Sequence, residues 1–399
     1  MSKGLTSQQV EHIKAGVPLM EQAGDAFLSE FYAKMISENP ALLNVFNKTH
    51  QRTLDQPRAL TRAVVAYAKN IDNLGVLSPV VERIVQKHCS LNVKAEHYPI
   101  VGKYLLDAIS VKFGPDVATP AFLDAWAAAY GQLAELLIGA EKGVYEANRD
   151  KVGGWEGYRQ FKVSEKVDET ENVSSFKLVP VDGKKTIVPL PGQYLGFSFN
   201  IPALDEHTFC RQYSISDYVE PLADGAEGYR ISVKKIPGGA ISNNWHEHIK
   251  VGDTVDVSPP CGEFVLKNHS KPVLLVTAGI GVTPAISLSK HALASGQKVG
   301  LIQCDHKQDT VPFNEYFSSV AKENPDNFQY KRYLSGEGKR LDKNEFLNIL
   351  ETPNLKNADI YVIGPKDFMR DVRGWIHSSQ KDGDHAVYYD FFGPAQWDE

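Results

Sequence analysis

Cysteine is scarce: the 399 residues hold four, and Cys89, Cys210, Cys261 and Cys304 stand far apart with no C-x-x-C pair. That spacing argues against a disulfide framework and against the common zinc sites, and it fits a reducing compartment. Long apolar runs are also missing. No window approaches the ~20 apolar residues of a membrane span, and the opening Met1-Ser2-Lys3-Gly4-Leu5-Thr6 lacks the apolar core of a secretory signal. The expectation is a cytoplasmic chain with no required membrane. Positive charge is not in excess either, since the formal net charge is −6, so the basic footprint of a nucleic-acid-binding domain is lacking. No internal repeat stands out, and Ala127-Ala128-Ala129 is simply helical. The length exceeds what one core usually holds; at ~150 residues per domain it predicts two or three.

What is present early in the chain is a set of polar groups on apolar faces. Leu77, Val81, Ile84 and His88 share one side of a predicted helix, so the imidazole points where the apolar side chains point. Tyr98 occupies the apolar face of the next helix. Glu141 follows Trp126, Tyr130, Leu133 and Leu137 at helical spacing. A buried carboxylate costs several kcal/mol, on the order estimated for desolvated ions, unless something pairs with it. An imidazole N–H relayed through a tyrosine hydroxyl is such a partner, and a metal-ligating histidine usually donates its second N–H to an orienting acceptor. Taken alone, His88 reads as a satisfied core histidine; Glu141 at helical spacing on another apolar face reverses that reading.

The rest of the first 150 or so residues reads as all-helical, with inward polar groups suited to a haem pocket. Phe27, Leu28, Phe31, Tyr32, Met35 and Ile36 form one apolar stripe, and Leu60, Val64 and Tyr67 another, with Gln56 one turn before Leu60. Tyr32 is open to a second reading, because buried tyrosines often bond a backbone carbonyl. Gln56, beside Pro57, is also compatible with a plain helix start.

The pattern then changes twice. The pair Gly153-Gly154 is expected to end the last long helix as C-cap glycines do. From about Tyr158 to Leu266, alternating runs such as Phe161-Lys162-Val163, Ser175–Val179, Tyr194–Phe199 and Tyr229–Val233 predict a small antiparallel barrel. From Pro272, strands Val273–Val276, Val299–Ile302 and Asp359–Val362 alternate with helices starting at Pro284 and near Phe313, which predicts a parallel sheet covered by helices. The expected domains are 1–150, 151–268 and 269–399. His246 and His248 lack further ligands at a recognised spacing and are expected to be solvated helix residues.

Two motifs in the second half carry chemistry. Arg211-Gln212-Tyr213-Ser214 lies between Pro191-Gly192-Gln193-Tyr194 and Gly238-Gly239-Ala240-Ile241-Ser242-Asn243. By itself the tetrapeptide is only a strand with a solvated arginine; in this order the three segments resemble the flavin-binding barrel of the ferredoxin-reductase-like enzymes, and arginine forks and helix N-terminal amides meet a dinucleotide's phosphates. Gly279-Ile280-Gly281-Val282-Thr283-Pro284 follows a buried strand and precedes a helix. Thr283 suits an N-cap and Pro284 the first helical turn, while the glycines let amides approach a phosphate.

Phe31-Tyr32, Val45-Phe46-Asn47, Asp55-Gln56 with Leu60, Gln86-Lys87-His88, Tyr98-Pro99-Ile100-Val101-Gly102 and Ala125-Trp126 resemble the globin domain of the flavohaemoglobins. The later motifs resemble the same family's ferredoxin-reductase-like half, and Tyr389-Asp390-Phe391-Phe392-Gly393-Pro394 resembles its terminal segment; Phe391 and Phe392 are also compatible with an ordinary strand end. The resemblance implies an all-α globin domain, an antiparallel β-barrel FAD domain and an α/β parallel-sheet NAD(P)-binding domain, with haem b, FAD and NAD(P)H as cofactors. It implies His88 as the axial iron ligand, Tyr98 and Glu141 raising its electron donation, Tyr32 with Gln56 stabilising oxygen, Phe46 wedging the haem and Leu60 restricting the distal space. It places Tyr194, Arg211, Gln212, Tyr213, Ser214, Ser242 and Asn243 around the flavin. The Gly279–Pro284 loop goes around the nicotinamide dinucleotide, and the terminal aromatic covers the flavin where nicotinamide enters. Lys87 and Asp390 are placed where the haem and flavin units meet.

Two departures stand out. Val362-Ile363-Gly364-Pro365 occupies the place of the family's common Cys-Gly-Pro, and Asp390 that of a common glutamate. The implied activity is nitric oxide dioxygenation, in which nitric oxide and O2 become nitrate at a ferrous haem that NAD(P)H re-reduces through FAD. The implied partners are these small molecules, with a monomeric chain. Two other functions are compatible with the same residues: an oxygen or nitric oxide sensor with an attached reductase, and a haem-independent flavin reductase. Asp305, His306 and Lys307 leave NADH and NADPH both open.

Overall fold

The computed structural model describes residues 4–46, 55–202, 204–218, 225–379 and 385–392, and only the backbone of 23–29 and 55–57. Helix α1 (Ser7–Glu38) begins at a capping box in which Thr6 Oγ1 accepts from Gln9 N at 3.2 Å and Gln9 Oε1 accepts from Thr6 N at 2.9 Å. Helices α2 (Asp55–Lys69), α3 (Ser78–Ser90), α4 (His97–Val117) and α5 (Pro120–Asp150) complete the helical unit. Phe31, Met35, Val64, Leu105, Ile109 and Trp126 are among the side chains of its core. At Gly102 an added Cβ would lie 2.5 Å from the Tyr130 ring. The missing side chain therefore lets α4 and α5 close on each other, and Tyr130 Oη donates to Tyr98 O at 2.7 Å across that contact.

The junction differs from expectation. Helix α5 ends at Asp150 on an extended Lys151, so Gly153-Gly154 does not cap it. Gly153 adopts φ +71°, and a Cβ at Gly154 would fall 2.2 Å from Asn148 O, so the pair folds the linker back against the finished helix. Trp155 then enters the next unit and donates from Nε1 to Val257 O at 3.1 Å.

Six strands close a barrel in the order β1-β2-β5-β4-β3-β6: β1 (Arg159–Thr170), β2 (Val173–Pro180), β3 (Tyr194–Phe199), β4 (Phe209–Tyr218), β5 (Tyr229–Lys234) and β6 (Thr254–Val257). All neighbours are antiparallel. Phe161, Phe176, Phe197, Tyr229 and Trp245 fill it. The short helix α6 (Ala240–Asn243) runs directly into a turn over Asn244–His248. There His246 is half-buried, with Nε2 2.9 Å from Val233 O, because it fastens that turn to β5; only His248 is solvated as expected.

The last unit is a five-stranded parallel sheet ordered β11-β10-β7-β8-β9, built from β7 (Val273–Ala278), β8 (Val299–Asp305), β9 (Phe328–Leu334), β10 (Asp359–Ile363) and β11 (Val387–Asp390). Helices α7 (Ala285–Ala294), α8 (Asn314–Glu323), α9 (Lys343–Leu350) and α10 (Lys366–Ser378) accompany it. Val273 and Leu275 enter one core while Leu274 and Val276 enter another, the period-two signature of a strand buried on both faces. The sequence reading did not name β9 and β11, which are edge strands with half-exposed positions and so lack an unbroken apolar run.

Candidate functional site

Helix α3 places His88 in its last turn, and α4 starts beside it with Tyr98 at its second residue and Pro99 in its first turn, where a missing N–H costs nothing. From α5, Glu141 reaches both. His88 Nδ1 is 2.7 Å from Glu141 Oε1 and 3.1 Å from Tyr98 Oη, and Tyr98 Oη donates to the same Glu141 oxygen at 2.5 Å. The carboxylate is 2% exposed, so these two donors offset its desolvation. Burial, and then the hydrogen bond to Glu141, push the Tyr98 hydroxyl well above its usual range, so it stays a donor. With Nδ1–H committed to an acceptor, Nε2 carries the imidazole lone pair, which is the tautomer a metal ligand needs. The donor set therefore fits a haem iron at His88.

Tyr32 is 5% exposed and packs edge-on against Phe31 and Phe46, at 4.8 and 5.6 Å between ring centroids. Burial raises its hydroxyl pKa, so the group keeps its proton. Among the described residues its hydroxyl makes no hydrogen bond, so the backbone carbonyl allowed by the sequence is not its partner there. Phe46 and Leu60 pack partly buried against the same core. Gln56 lies in the first turn of α2 as expected, but its side chain lies outside the described residues.

The polar edge of α3 faces the barrel. Arg83, Gln86, Lys87 and Ser90 recur at helical spacing, and each meets a partner there. Arg83 Nε pairs with Glu263 Oε1 at 2.9 Å, and Gln86 Oε1 accepts from Gly262 N at 3.0 Å. Lys87 Nζ donates to Gln212 Oε1 at 2.5 Å, and Gln212 Nε2 donates to Ser90 Oγ at 3.3 Å. Strand β3 comes so close that a Cβ on Gly196 would lie 2.0 Å from Ser90 O. A second clasp ties the loop before Phe46 to β4: Thr208 N donates to Asn44 Oδ1 at 2.9 Å, and Thr208 Oγ1 to Asn44 O at 3.2 Å. The sequence expectation put Lys87 at this seam and Gln212 at the flavin, and it missed Arg83, Gln86, Asn44, Thr208 and Glu263. The polar stripe 83/86/87/90 beside the apolar one was the available signal for the first two.

Strand β4 carries Arg211-Gln212-Tyr213-Ser214, and its register sets Tyr194 opposite Ser214. Arg211 is partly buried rather than solvated, and burial lowers its pKa. Tyr213 lies against Phe197 and Trp245 at centroid distances of 5.6 and 6.0 Å. Ser242 Oγ accepts from Ile236 N at 3.1 Å, whereas Asn243 Oδ1 is buried with no partner. Arg211 Nη1 donates to Cys210 O at 2.7 Å, and the orphaned Asn243 acceptor is what a cradle leaves for a bound group, so these residues fit a flavin.

In the loop Gly279–Val282 the two glycines differ. Gly279 has φ +54° and open space around its Cβ position, whereas a Cβ on Gly281 would lie 2.5 Å from Ile363 O. Gly279 thus suits a phosphate's approach, and Gly281 is required by packing on β10 at the residue that departs from the family's cysteine. Thr283 is not the N-cap: Pro284 holds that position, α7 starts at Ala285, and Thr283 Oγ1 donates back to Ile280 O at 3.0 Å, closing the preceding tight turn. At the chain's end Phe391 is half-buried under Arg83, whose guanidinium carbon is 5.6 Å from the ring centroid, and Phe392 is 53% exposed. Gly393 and Pro394 lie outside the described residues. Burial pushes Asp390 up to about 6, and burial pulls Lys87 down to about 8. No helix among the described residues is long and apolar enough to cross a membrane.

Three family models match in series: Globin over residues 29–137, Oxidoreductase FAD-binding domain over 160–266 and Oxidoreductase NAD-binding domain over 275–374. A flavohemoprotein of Pseudomonas putida is 39% identical over 396 residues, covering 98% of this chain and 99% of the relative. One from Schizosaccharomyces pombe is 38% identical over 407 residues, covering 98% and 93%. The crystal structure of a Malassezia yamatoensis flavohemoglobin with bound FAD and heme superposes with a TM-score of 0.84 at 25% identity, covering 98% of this chain and 100% of that one. The flavohem-like FAD/NAD binding domain of a Vibrio cholerae nitric oxide dioxygenase is 28% identical with a TM-score of 0.50, covering 59% of this chain and 100% of that one. Likeness at this level from one end of the chain to the other, across helical unit, barrel and sheet in the same order, means that the chain belongs to the flavohemoprotein family.

Proposed function

We propose that the chain is an NAD(P)H-dependent nitric oxide dioxygenase that detoxifies nitric oxide in the cytoplasm, with residues 1–150 holding haem, 151–268 FAD and 269–399 the nicotinamide cofactor. The carrying observation is the seam: Lys87, the neighbour of His88, donates to Gln212, the neighbour of Tyr213, so the haem and flavin residues adjoin. When bound, haem supplies a seat for a diatomic ligand, and FAD splits a hydride into single electrons. Nitric oxide, O2 and one electron make one nitrate, so a hydride serves two turnovers and the second product is the oxidised nicotinamide with a proton. His88 Nε2 would hold the iron, while Glu141 and Tyr98 fix the Nδ1 proton and would strengthen the imidazole's donation. Tyr32, in the same core as Phe46 and Leu60, would present its O–H to the ligand, with Gln56 proposed as a second donor. Arg211, Ser242 and Asn243 hold the flavin's polar parts, Tyr213 and Tyr194 its rings, and Ser214 its reactive edge. Gly279, Ile280, Gly281, Val282, Thr283 and Pro284 would receive the nicotinamide dinucleotide, and Asp390, Phe391 and Phe392 would cover the flavin face it approaches. The Vibrio cholerae likeness of the reductase portion supports the same reading.

The test is aerobic nitric oxide consumption by the purified holoprotein, with nitrate and NAD(P)H followed together. The expected result is nitrate in a two-to-one ratio to NAD(P)H oxidised. Ligand binding without turnover would make the chain a sensor, and NAD(P)H oxidation that persists without haem and yields no nitrate would make it a flavin reductase; either overturns the proposal.

A further inference from the structure

Arg83 is a single side chain at which the three units meet. It stands on α3, one turn before Lys87 and five residues before His88. Its Nε pairs with Glu263 Oε1 of the barrel at 2.9 Å, and its guanidinium carbon lies 5.6 Å from the ring centroid of Phe391, just beyond the last strand of the sheet. The pair is sheltered, with side-chain exposures of 28% for Arg83 and 19% for Glu263. A carboxylate bonded at the guanidinium's edge does not compete with an aromatic ring met by its face, and partial desolvation strengthens both attractions. Phe391 therefore has its position set by a residue of the haem-bearing helix as well as by its own strand.

We propose that Arg83 is a positioning residue that seats Phe391 and thereby sets how readily nicotinamide reaches the flavin. This rests on the flavin and nicotinamide placement given above. Loss of the guanidinium removes a contact that holds Phe391 down, so nicotinamide displaces the ring more easily. The effect falls on binding rather than on the hydride step, because Arg83 touches neither reacting atom.

The experiment is anaerobic stopped-flow reduction of the flavin in the full holoprotein across a range of NADH concentrations, for the parent, Arg83→Ala, Arg83→Lys and Glu263→Gln. In Arg83→Ala the NADH dissociation constant is expected to fall about three- to tenfold, the range of a partly desolvated cation–π contact. The limiting reduction rate should stay within about twofold on the same argument. Arg83→Lys restores part of the difference, and Glu263→Gln, which frees the guanidinium without removing it, moves the constant the same way by less. In a Phe391→Ala background, Arg83→Ala should add nothing further. A dissociation constant unchanged in both Arg83→Ala and Glu263→Gln, or the same shift persisting without Phe391, overturns the proposal. Should Arg83→Ala not fold, Glu263→Gln with the Phe391→Ala background decides alone. The assay needs neither oxygen nor nitric oxide, so failure of nitrate formation leaves it interpretable; a purified parent without flavin overturns both readings.

Discussion

Tyr98 and Tyr32 are alike by composition and burial, 8% and 5% exposed in one helical unit, and differ in what their hydroxyls do. Tyr98 donates to Glu141, itself held by His88, so its proton has a destination inside the protein. Tyr32 sits between two phenylalanines, and among the described residues its hydroxyl makes no hydrogen bond. The first tyrosine belongs to a polar cluster closed within the protein, and the second has the donor that, in the proposed function, a bound ligand would meet.

The largest break in that comparison comes at the centre of the finished cluster. His88→Ala should remove the iron ligand and with it the Soret band, while flavin content, read at its own absorption maxima, stays that of the parent. Retained haem of normal spectrum would mean that another residue ligates the iron. Next is the unfinished contact. A lost hydrogen bond to a partly charged acceptor costs about 1.5–3 kcal/mol, so Tyr32→Phe should release oxygen faster by roughly one to two orders of magnitude, with NAD(P)H-to-flavin transfer unchanged. Tyr98→Phe should alter oxygen release far less, since its hydroxyl points to Glu141. Equal oxygen dissociation rates for the two variants in stopped flow would erase the distinction between the tyrosines.

Much of the cluster was legible in the sequence because its members sit on periodic apolar faces, where a polar residue is conspicuous: His88 after Val81 and Ile84, and Glu141 after Leu133 and Leu137. The barrel and the sheet were legible for the same reason, through strands that are buried on one face or both. The seam was not. Arg83 and Glu263, Gln86 and Gly262, and Asn44 and Thr208 are separated by 180, 176 and 164 residues, and no local period records which surface polar residue will be covered. Thr283 illustrates a smaller failure. Its type suits an N-cap, but the tight turn over Gly279–Val282 claims the hydroxyl first.

A finer division lies within the finished cluster. Glu141→Gln keeps an acceptor for His88 Nδ1–H but removes the negative charge behind it, so haem should remain and the axial donation weaken. The iron–histidine stretching frequency of the ferrous protein should fall, and oxygen release should change by no more than a few-fold, since the oxygen contact proposed at Tyr32 is untouched. An unchanged stretching frequency would mean that Glu141 positions the ring without strengthening it.

The smallest expected effect compares the two charges at the seam. Burial pushes Asp390 up to about 6 and pulls Lys87 down to about 8, so both shifts run toward the neutral form and both tax the folded state. The Asp390 penalty is fully present above pH 6 and is relieved as pH falls toward the ordinary 3.8; the Lys87 penalty is fully present below pH 8 and is relieved as pH rises toward the ordinary 10.5. Between those limits both groups are charged, and each favours the other's ionised form. Flavin-to-haem electron transfer, followed as haem reduction under carbon monoxide after mixing with NADH, should therefore show a shallow bell with limbs near pH 6 and 8. Lys87→Met should flatten the alkaline limb and Asp390→Asn the acid limb. A flat profile in the parent, or limbs that survive both substitutions, would place the controlling titrations elsewhere.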